Sequence, residues 1–583
     1  MIPRLSGSTA SFRTWAPRAE HLAVRVFADG TSTDHPATAT GNGYWESTVD
    51  GVAEGTLYQY VIDGEAVPDP ASAYQPHGVH GPSMLVDFES RQWSDRDWHG
   101  LPLRELILYE VHIGTFTETG TFSAAIERLD EIRELGATAV EIMPVAEFPG
   151  KWNWGYDGVA LFAPSHNYGT PEDFRRFVEA CHARGLAVLL DVVYNHLGPE
   201  GNYLHLFGPF FSEQPTPWGY APEVGGADSH VRAFFHANAR HWIERYHLDG
   251  LRFDAVSAIA DQSDAHLVNA IAADLHETAA RTGRFIHAIG ETNAYEPRFL
   301  PAGGGQLDAL WCDDIGHAAM SAAVGDSAYG GRDYLGAVDL LEALRHGALY
   351  ERPDGADLRR MPPDSGVDRK ATLLQLQNHD IVGNHPSARR LHQRTSRQIQ
   401  CALAPLVLLY PGIPLIFMGE EFAAPAPFHF FCDFGSESLR RSVIDGRRAE
   451  FPDHNWSKSV PPTQPEAFFN SRLPPVVDGH ARILRWYRDL LHRRKAWRED
   501  DLLRQDNLEV DGSAEKSVFL LNYRSAEASG FVAVALHAPE SETLLECGGE
   551  ILCRTGGAHV ADGTLALSAA SAAVGTGNVR LRE

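Results

Sequence analysis

The stretch TPEDFRRFVEACHARGLAVLLDVVYNH, residues 170–196, reads as one helix followed by one buried strand. Pro171 suits a first helical position, where no amide donor is needed, and Gly185 marks the helix end. The apolar run 186–193 has the length of a strand covered on both faces, and it carries Asp191. A helix that leads into a buried strand in this way is typical of a parallel sheet.

The same alternation of strand and helix repeats along the middle of the chain. Strands are predicted over residues 106–116, 139–145, 186–193, 251–254, 285–291, 308–311, 372–378 and 414–421. Helices are predicted over residues 122–136, 171–185, 229–247, 264–281, 333–346, 396–409 and 480–495. Eight strands alternating with helices indicate an α/β fold, the (β/α)8 TIM barrel.

Short strands separated by turns flank this pattern on both sides. We therefore predict an N-terminal β-sandwich over residues 1–97, a catalytic barrel over 98–498 and a C-terminal all-β domain over 499–583. Trp15 and Trp45 of the sandwich either fill its core or stack on a sugar, and the sequence leaves both readings open.

Charge and composition limit the partners of the chain. Lys and Arg total 50 against 77 Asp and Glu, a net charge of −27, which repels nucleic acid. The sequence has no 18-residue apolar run and no apolar leader, so we expect a cytoplasmic protein without a membrane partner, a monomer or homodimer. None of the six cysteines forms a CxxC pair, and we expect reduced thiols, with a Cys547–Cys553 bridge left open. No metal site and no cofactor are predicted.

Carboxylates recur at the ends of the predicted strands. Asp191, Asp254 and Glu291 each lie at or near a strand end, and Asp380 follows the seventh strand. Barrel enzymes carry their chemistry at this face. Converging acids repel one another and lose hydration, so four of them in matching positions indicate function rather than stability.

The neighbours of these acids predict different protonation states for Asp254 and Glu291. Arg252 and Asp254 are two residues apart on one strand, so both side chains face the same way and the cation keeps Asp254 ionised. Glu291 would face two other acids, which raises its pKa and keeps it protonated. One ionised and one protonated carboxyl group are what retaining glycoside hydrolysis needs. His196 and His379 flank the acids and are candidates to bind sugar hydroxyls.

Four segments resemble the sequence regions of the α-amylase family of glycoside hydrolases. They are DVVYNH (191–196), GLRFDAV (250–256), IGET (289–292) and QNHD (377–380). The resemblance implies that Asp254 is the nucleophile, Glu291 the general acid/base and Asp380 the transition-state stabiliser. It also implies a supporting shell of Asp191, Asn195, His196, Arg252 and His379, with Tyr156 stacking on the sugar at the non-reducing side of the cleaved bond.

A narrower resemblance covers nearly the whole chain. The segments 68–83, 105–122, 419–434 and 446–451 look like the malto-oligosyltrehalose trehalohydrolase family. The substrate this implies is malto-oligosyltrehalose, cleaved at the α-1,4 bond next to its terminal trehalose.

Two further segments bear on how that substrate is recognised. DDIGH (313–317) resembles a family segment that contacts the trehalose end, which implies substrate-binding roles for Asp313, Asp314 and His317. Ile315 and Gly316 replace an aromatic residue and a histidine of that pattern. HDIVGN (379–384) resembles a second substrate segment and adds Asn384.

Two alternatives stay open at this point. A glycogen branching or debranching enzyme of the same family would share the sandwich and the acids. The second alternative is from another functional class: a catalytically inert glycan-binding protein with the same fold, since a fold does not fix a function.

Overall fold

Residues 4–84 form two antiparallel sheets in the computed structural model, which describes residues 1–582 except 214–215, 226–228, 293, 326–327, 330–331, 353–356, 363–365, 453 and 538–541. The strands are β1 Arg4–Ser6, β2 Thr9–Trp15, β3 Leu22–Ala28, β4 Thr31–Pro36, β5 Thr38–Gly41, β6 Tyr44–Asp50, β7 Leu57–Ile62, β8 Glu65–Val67 and β9 Ser83–Met84. One sheet has the order β1-β2-β6-β5 and the other β4-β3-β7-β8, with β9 paired to β7. The rings of Phe12 and Tyr58 meet between the sheets with centroids 5.0 Å apart.

The two tryptophans of the sandwich have packing roles. Trp15 stacks on His230 with ring centroids 4.9 Å apart, and its indole N–H donates to the Asn42 carbonyl at 3.2 Å. Trp45 donates to the Ala16 carbonyl at 3.1 Å. Since His230 belongs to the central domain, Trp15 packs at the junction between the sandwich and that domain.

The central domain is a closed barrel of eight parallel strands. In chain order its elements are β10 Leu108–Val111, α1 Ile113–Phe116, α2 Phe122–Ile126, α3 Leu129–Leu135, β11 Ala139–Ile142, β12 Ala146–Glu147, β13 Ala160–Pro164, α4 Pro171–His182, β14 Ala187–Val192, α5 Leu204–Phe207, α6 His230–Arg245, β15 Gly250–Phe253, α7 Leu267–Thr282, β16 His287–Thr292, β17 Ala309–Cys312, α8 Asp314–Val324, β18 Ala328–Tyr329, β19 Arg332–Asp333, α9 Ala337–His346, β20 Tyr350–Glu351, β21 Arg359–Arg360, β22 Thr372–Gln375, α10 His379–Gly383, α11 Leu391–Arg394, α12 Arg397–Leu408, β23 Ile413–Phe417, α13 Glu437–Glu450, α14 Pro465–Asn470 and α15 Ala481–Glu499. The barrel order is β10-β11-β14-β15-β16-β17-β22-β23, and β23 pairs with β10 to close it. The predicted barrel is confirmed.

The barrel interior changes from apolar to charged along several strands, as β10 and β14 show. Leu108 and Leu189 belong to a buried apolar cluster in the lower layer. Glu110 and Asp191 lie two residues further along the same two strands, and both are buried. Because side chains two apart face the same way, the charged layer sits directly above the apolar one, toward the carboxyl ends.

Several predicted elements differ in detail from the observed ones. The helix predicted over 122–136 is two helices, α2 and α3, because the backbone bonds at the break span three residues, among them the bond from the Arg128 N–H to the Ala125 carbonyl at 3.1 Å. The Arg128 side chain donates through Nη1 to the Phe116 carbonyl at 2.8 Å. The strand predicted over 106–116 ends at Val111, and residues 113–116 form α1. The sequence also missed α8, which begins directly after β17.

The C-terminal residues form two further antiparallel sheets. Their strands are β24 Leu508–Ser513, β25 Val518–Arg524, β26 Ser529–Ala535, β27 Thr543–Cys547, β28 Ile551–Thr555, β29 His559–Ala561, β30 Thr564–Leu567, β31 Ser571–Thr576 and β32 Val579–Leu581. The orders are β24-β25-β26-β31-β28 and β29-β30-β27-β32, which confirms an all-β domain after the barrel. The three domain limits stay predictions.

All six cysteines lie in the described part of the chain and are free thiols, including Cys547 and Cys553. Within the described residues, no helix combines the length and the apolar character that crossing a membrane requires.

Candidate active site

The predicted acids meet at the carboxyl ends of the barrel strands. Asp191 is the fifth residue of the six-residue strand β14, and Asp254 directly follows β15. Glu291 is the fifth residue of β16, and Asp380 lies in α10 after β22. Parallel strands of a closed barrel bring these ends around one mouth, so acids far apart in sequence become neighbours.

Arg252 joins three of these acids. Its Nη1 donates to Asp191 Oδ2 at 2.5 Å and to Asp254 Oδ1 at 2.9 Å, and its Nη2 lies 3.1 Å from Glu291 Oε2. The side chain is 1% exposed, with its guanidinium 4.6 Å from the centroid of the Trp311 ring. One buried cation is therefore shared by three acids that face each other across the mouth.

Asp254 is held from two directions. Asn195 Nδ2 donates to Asp254 Oδ2 at 2.6 Å and to its carbonyl at 2.9 Å, opposite the bond from Arg252. A carboxylate that accepts hydrogen bonds from a cation and an amide on its two oxygens is fixed in orientation.

Glu291 lies in an environment that favours its protonated form. Burial raises the pKa of Glu291 above its ordinary value, Arg252 opposes that rise, and the charge of Asp254 adds to it. Glu291 Oε2 also accepts the backbone N–H of Ala255 at 2.8 Å. Ala255 has a φ of 40°, so the chain turns sharply after Asp254 and directs this amide at Glu291.

Asp380 stands at the entrance, beside its neighbour His379. His379 Nε2 lies 3.4 Å from Asp380 Oδ2, and Asn384 Nδ2 donates to Asp380 Oδ1 at 2.9 Å. Arg447 in turn donates to Asn384 Oδ1 at 2.8 Å. Asn384, predicted as a substrate contact, thus also orients Asp380.

A buried acid that the sequence analysis missed sits behind His379. Glu110 of β10 accepts His379 Nδ1 at 2.5 Å and the His379 backbone N–H at 3.1 Å. Burial opposes a charge on His379, but the carboxylates of Asp380 and Glu110 outweigh it and raise its pKa to about 10. The available signal was a glutamate inside the otherwise apolar strand LYEV.

Tyr156 connects His379 to Asp191 through its hydroxyl group. The protonated His379 Nε2 donates to the Tyr156 hydroxyl at 2.8 Å, and that hydroxyl donates to Asp191 Oδ2 at 2.7 Å. His196 lies 2.8 Å from the Tyr156 carbonyl, and burial lowers the pKa of His196 to about 4. The predicted aromatic residue is therefore fixed in place by hydrogen bonds on both sides.

Asp313 lies close to the acids, beyond β17. It accepts the Trp311 indole N–H at 2.8 Å and contacts from Gln375 and Asn378. Burial raises the pKa of Asp313 to about 7, and the charges of Glu291 and Asp380 add to the rise. His317 Nε2 is 4.0 Å from Asp313 Oδ2.

Asp314 differs from the expected direct contact with sugar. Its carboxylate accepts the backbone N–H groups of Leu349 and Tyr350 at 2.9 and 3.0 Å, the Tyr334 hydroxyl at 3.0 Å and Arg332 Nη1 at 3.2 Å. These four donors occupy the lone-pair sites of the carboxylate, and the side chain is 1% exposed. Asp314 therefore ties α8 to the segment after α9 and supports the site from behind.

Two stretches of the chain match known families. Residues 91–208 match the alpha amylase catalytic domain, and residues 3–76 match carbohydrate-binding module 48, the isoamylase N-terminal domain. Together with the barrel and its ring of acids, these matches define the class: a glycoside hydrolase of the α-amylase family.

Full-length relatives narrow this class. The chain is 38% identical over 514 residues to the malto-oligosyltrehalose trehalohydrolase of Deinococcus radiodurans, covering 86% of this chain and 83% of the relative. It is 38% identical over 508 residues to that of Saccharolobus solfataricus, covering 85% and 86%. The crystal structure of a putative alpha amylase from Salmonella typhimurium superposes with a TM-score of 0.89 at 35% identity over 98% of both chains. The chain belongs to the malto-oligosyltrehalose trehalohydrolase family.

Proposed function

We propose that this chain hydrolyses the α-1,4 bond next to the terminal trehalose of malto-oligosyltrehalose and releases trehalose, a step of trehalose formation. The observation that carries the chemistry is the contact of one guanidinium, that of Arg252, with Asp191, Asp254 and Glu291. Membership of the family supports the choice of substrate.

The first half of the reaction uses two carboxyl groups in opposite protonation states. Glu291 donates its proton to the glycosidic oxygen while Asp254 attacks the anomeric carbon. The C–O bond breaks, trehalose leaves with that proton, and the glucan is esterified to Asp254. Arg252 and Asn195 donate to the two oxygens of Asp254 and orient it for this attack.

The second half reverses the role of Glu291. Now ionised, Glu291 takes a proton from water, and the water oxygen attacks the anomeric carbon of the glycosyl ester. Asp254 leaves as a carboxylate, and the released malto-oligosaccharide has the α-configuration. Asp380, oriented by Asn384, stabilises the positive charge that develops on the sugar in both transition states.

The trehalose end is assigned to the wall formed by β17 and α8. Asp313 and His317 lie there side by side, and Asp313 is near enough to Glu291 for the charge of Glu291 to raise its pKa. Burial lowers the pKa of His317, so the ring is neutral and can both donate and accept a hydrogen bond. We assign sugar contact to this pair and the supporting role to Asp314.

Product analysis tests the assignment. The purified protein is incubated with malto-oligosyltrehalose and, in parallel, with amylose, and the products are separated by chromatography. We expect trehalose and a shorter malto-oligosaccharide from the first substrate, at a rate well above any cleavage of amylose. Equal cleavage of both substrates, or new α-1,6 branches on amylose, would replace the proposal with an amylase or branching activity.

A further inference from the structure

Glu141 is a second acid inside the barrel that the proposed reaction does not use. It lies in β11, 1% exposed, and is paired in register with Glu110 of β10. Within the described part of the chain, neither carboxyl oxygen of Glu141 has a hydrogen-bond partner. A charged carboxylate in that position would be desolvated without compensation.

The other acids around it all have donors. Glu110 accepts from His379, and Asp191 accepts from Tyr156 and Arg252. Asp254 accepts from Arg252 and Asn195, and Glu291 accepts from Ala255 and Arg252. Hydrogen bonds to the charged form favour ionisation. Glu141 is the member of this group whose carboxyl oxygens accept no hydrogen bond among the described residues.

The charge balance of the interior leads to the same assignment. The groups that face Glu141 are Glu110 from β10, Asp191 from β14, Arg252 from β15 and His379 from α10. Counted with Asp254, Glu291 and Asp380, the acids outnumber the two cations, so some of them must carry a proton. Burial, together with the charges of Glu110 and Asp191, outweighs the opposing charges of Arg252 and His379 and raises the pKa of Glu141 well above its ordinary value.

Asp191 is the other candidate to hold that proton. Burial raises the pKa of Asp191 to about 7, but its bonds from Arg252 and Tyr156 favour the carboxylate. Its Oδ1 is buried and has no partner among the described residues. Glu141 pairs with Leu189, so Asp191 is its diagonal neighbour on the same face, within reach of a long side chain.

We propose that Glu141 is a positioning residue that remains a neutral carboxylic acid throughout the reaction and donates toward Asp191 beneath the catalytic pair. In the neutral form it does not compete for Arg252. The charge of Arg252 is then shared among Asp191, Asp254 and Glu291 alone. The kinetic part of this proposal rests on the proposed hydrolase activity, whereas the protonation state of Glu141 does not.

Infrared difference spectroscopy tests the protonation state without any substrate. A protonated carboxyl group has a C=O stretch above the carboxylate and amide bands. The spectrum of the wild type minus that of Glu141→Gln at neutral pH should contain this band. The control is Glu110→Gln, whose difference spectrum should lose carboxylate bands, because Glu110 is paired with His379. A Glu141→Gln difference that shows carboxylate loss would overturn the proposal.

Kinetics test the positioning role. Glu141→Gln keeps a neutral donor of the same shape, so we expect kcat within about threefold of wild type and both limbs of the pH–rate profile unmoved. Glu141→Met removes the donor, so we expect kcat to fall about tenfold, which corresponds to one hydrogen bond. A shift of either limb in Glu141→Gln would mean that a charge had been removed and would refute the neutral state. Equal activity of the Met and Gln variants would show that Glu141 only fills space in the barrel and would overturn its positioning role. If the Met variant does not fold, the Gln profile and the infrared band still decide.

Discussion

At the scale of single residues, the site depends on one cation shared by several acids. Arg252 is buried and contacts Asp191, Asp254 and Glu291 at once. Removing one acid changes the share of that charge left for the others, so effects of substitutions within this group will not add. Substitutions that keep charge and shape are therefore the most informative.

Asp254→Ala should remove nearly all turnover and leave the fold intact. The covalent step has no nucleophile without this carboxylate. We expect kcat to fall by more than about a hundredfold, roughly 2.7 kcal/mol of barrier. Asp445→Ala, on a side chain 77% exposed in α13, is the matched control and should keep full activity. A variant with more residual turnover than this would remove Asp254 from the nucleophile role.

Glu291→Gln should separate the two halves of the reaction. An activated aryl glycoside needs no proton on its leaving group, so its first step should proceed while the natural substrate is hardly cleaved. The glycosyl intermediate should then accumulate, because no base activates water, and mass spectrometry should detect it on Asp254. Equal losses on both substrates without a burst would assign the acid/base role to another residue.

His317→Ala should affect the two substrate classes differently. We expect kcat/KM for malto-oligosyltrehalose to fall by a factor that corresponds to about 1–3 kcal/mol of transition-state stabilisation, because a buried polar contact is lost. The loss on plain malto-oligosaccharide should be smaller. The matched variant is Asp314→Asn, which places an amide donor against the amides of Leu349 and Tyr350. Asp314→Asn should lower the thermal midpoint and leave the ratio of the two substrates unchanged. The reverse outcome would restore Asp314 as the trehalose contact.

At the scale of elements, short local signals fix where the barrel helices begin. Thr170 caps α4 through a reciprocal capping box with Asp173, and Pro171 takes the first helical position. The helix then packs Phe174 and Phe177 against the barrel, both fully buried. This start sets the direction in which α4 leads the chain into β14, the strand that carries Asp191.

Thr170→Ala should therefore weaken the protein measurably. The change removes the side-chain oxygen that accepts the Asp173 N–H, which costs about 1 kcal/mol in typical helices. Thr170→Ser keeps an equivalent hydroxyl and serves as control. We expect a lower midpoint of thermal unfolding for the Ala variant alone, measured by circular dichroism. A drop of the same size in both variants would place the effect in the methyl group of Thr170.

At the scale of the whole molecule, the segment between the sandwich and the barrel is attached through buried charges. His182 of α4 lies between Asp95 Oδ2 at 2.8 Å and Asp249 Oδ2 at 3.0 Å, and Trp98 stacks on its ring. Burial opposes a charge on His182, but its bonds to Asp249 and Asp95 outweigh it and raise its pKa. The same bonds lower the pKa of Asp95 and of Asp249 against the effect of burial.

This cluster predicts how stability depends on pH. The contribution of protonated His182 is complete below the ordinary histidine pKa of about 6.5 and is lost as pH rises through its raised folded pKa. The contribution of Asp95 and Asp249 is complete above about 3.9 and is lost as pH falls through their lowered folded pKa values. The cluster therefore stabilises most between these limits.

His182→Gln tests this dependence. We expect the thermal midpoint of the wild type to fall as the pH rises above about 6.5, the ordinary histidine pKa, and the Gln variant to lose much of that slope. His276 pairs with Asp308 but is 36% exposed, so His276→Gln is the control and should change the slope less. Equal slopes in wild type and His182→Gln would show that His182 does not titrate with folding.

The sequence by itself determined the barrel and the four acids at its strand ends, Asp191, Asp254, Glu291 and Asp380, but not the buried Glu110 and Glu141. The regular alternation of buried strand and helix follows from local hydrophobic periods, and the i, i+2 spacing of Arg252 and Asp254 places both on one face whatever lies around them. What the tertiary structure decided was the partners of each side chain. Glu110 bonds to His379, 269 residues away, and Asp314 accepts the backbone N–H groups of Leu349 and Tyr350, 35 and 36 residues further on. Such contacts form only when the barrel closes and the loop after α9 folds back, and no local period in the chain encodes them.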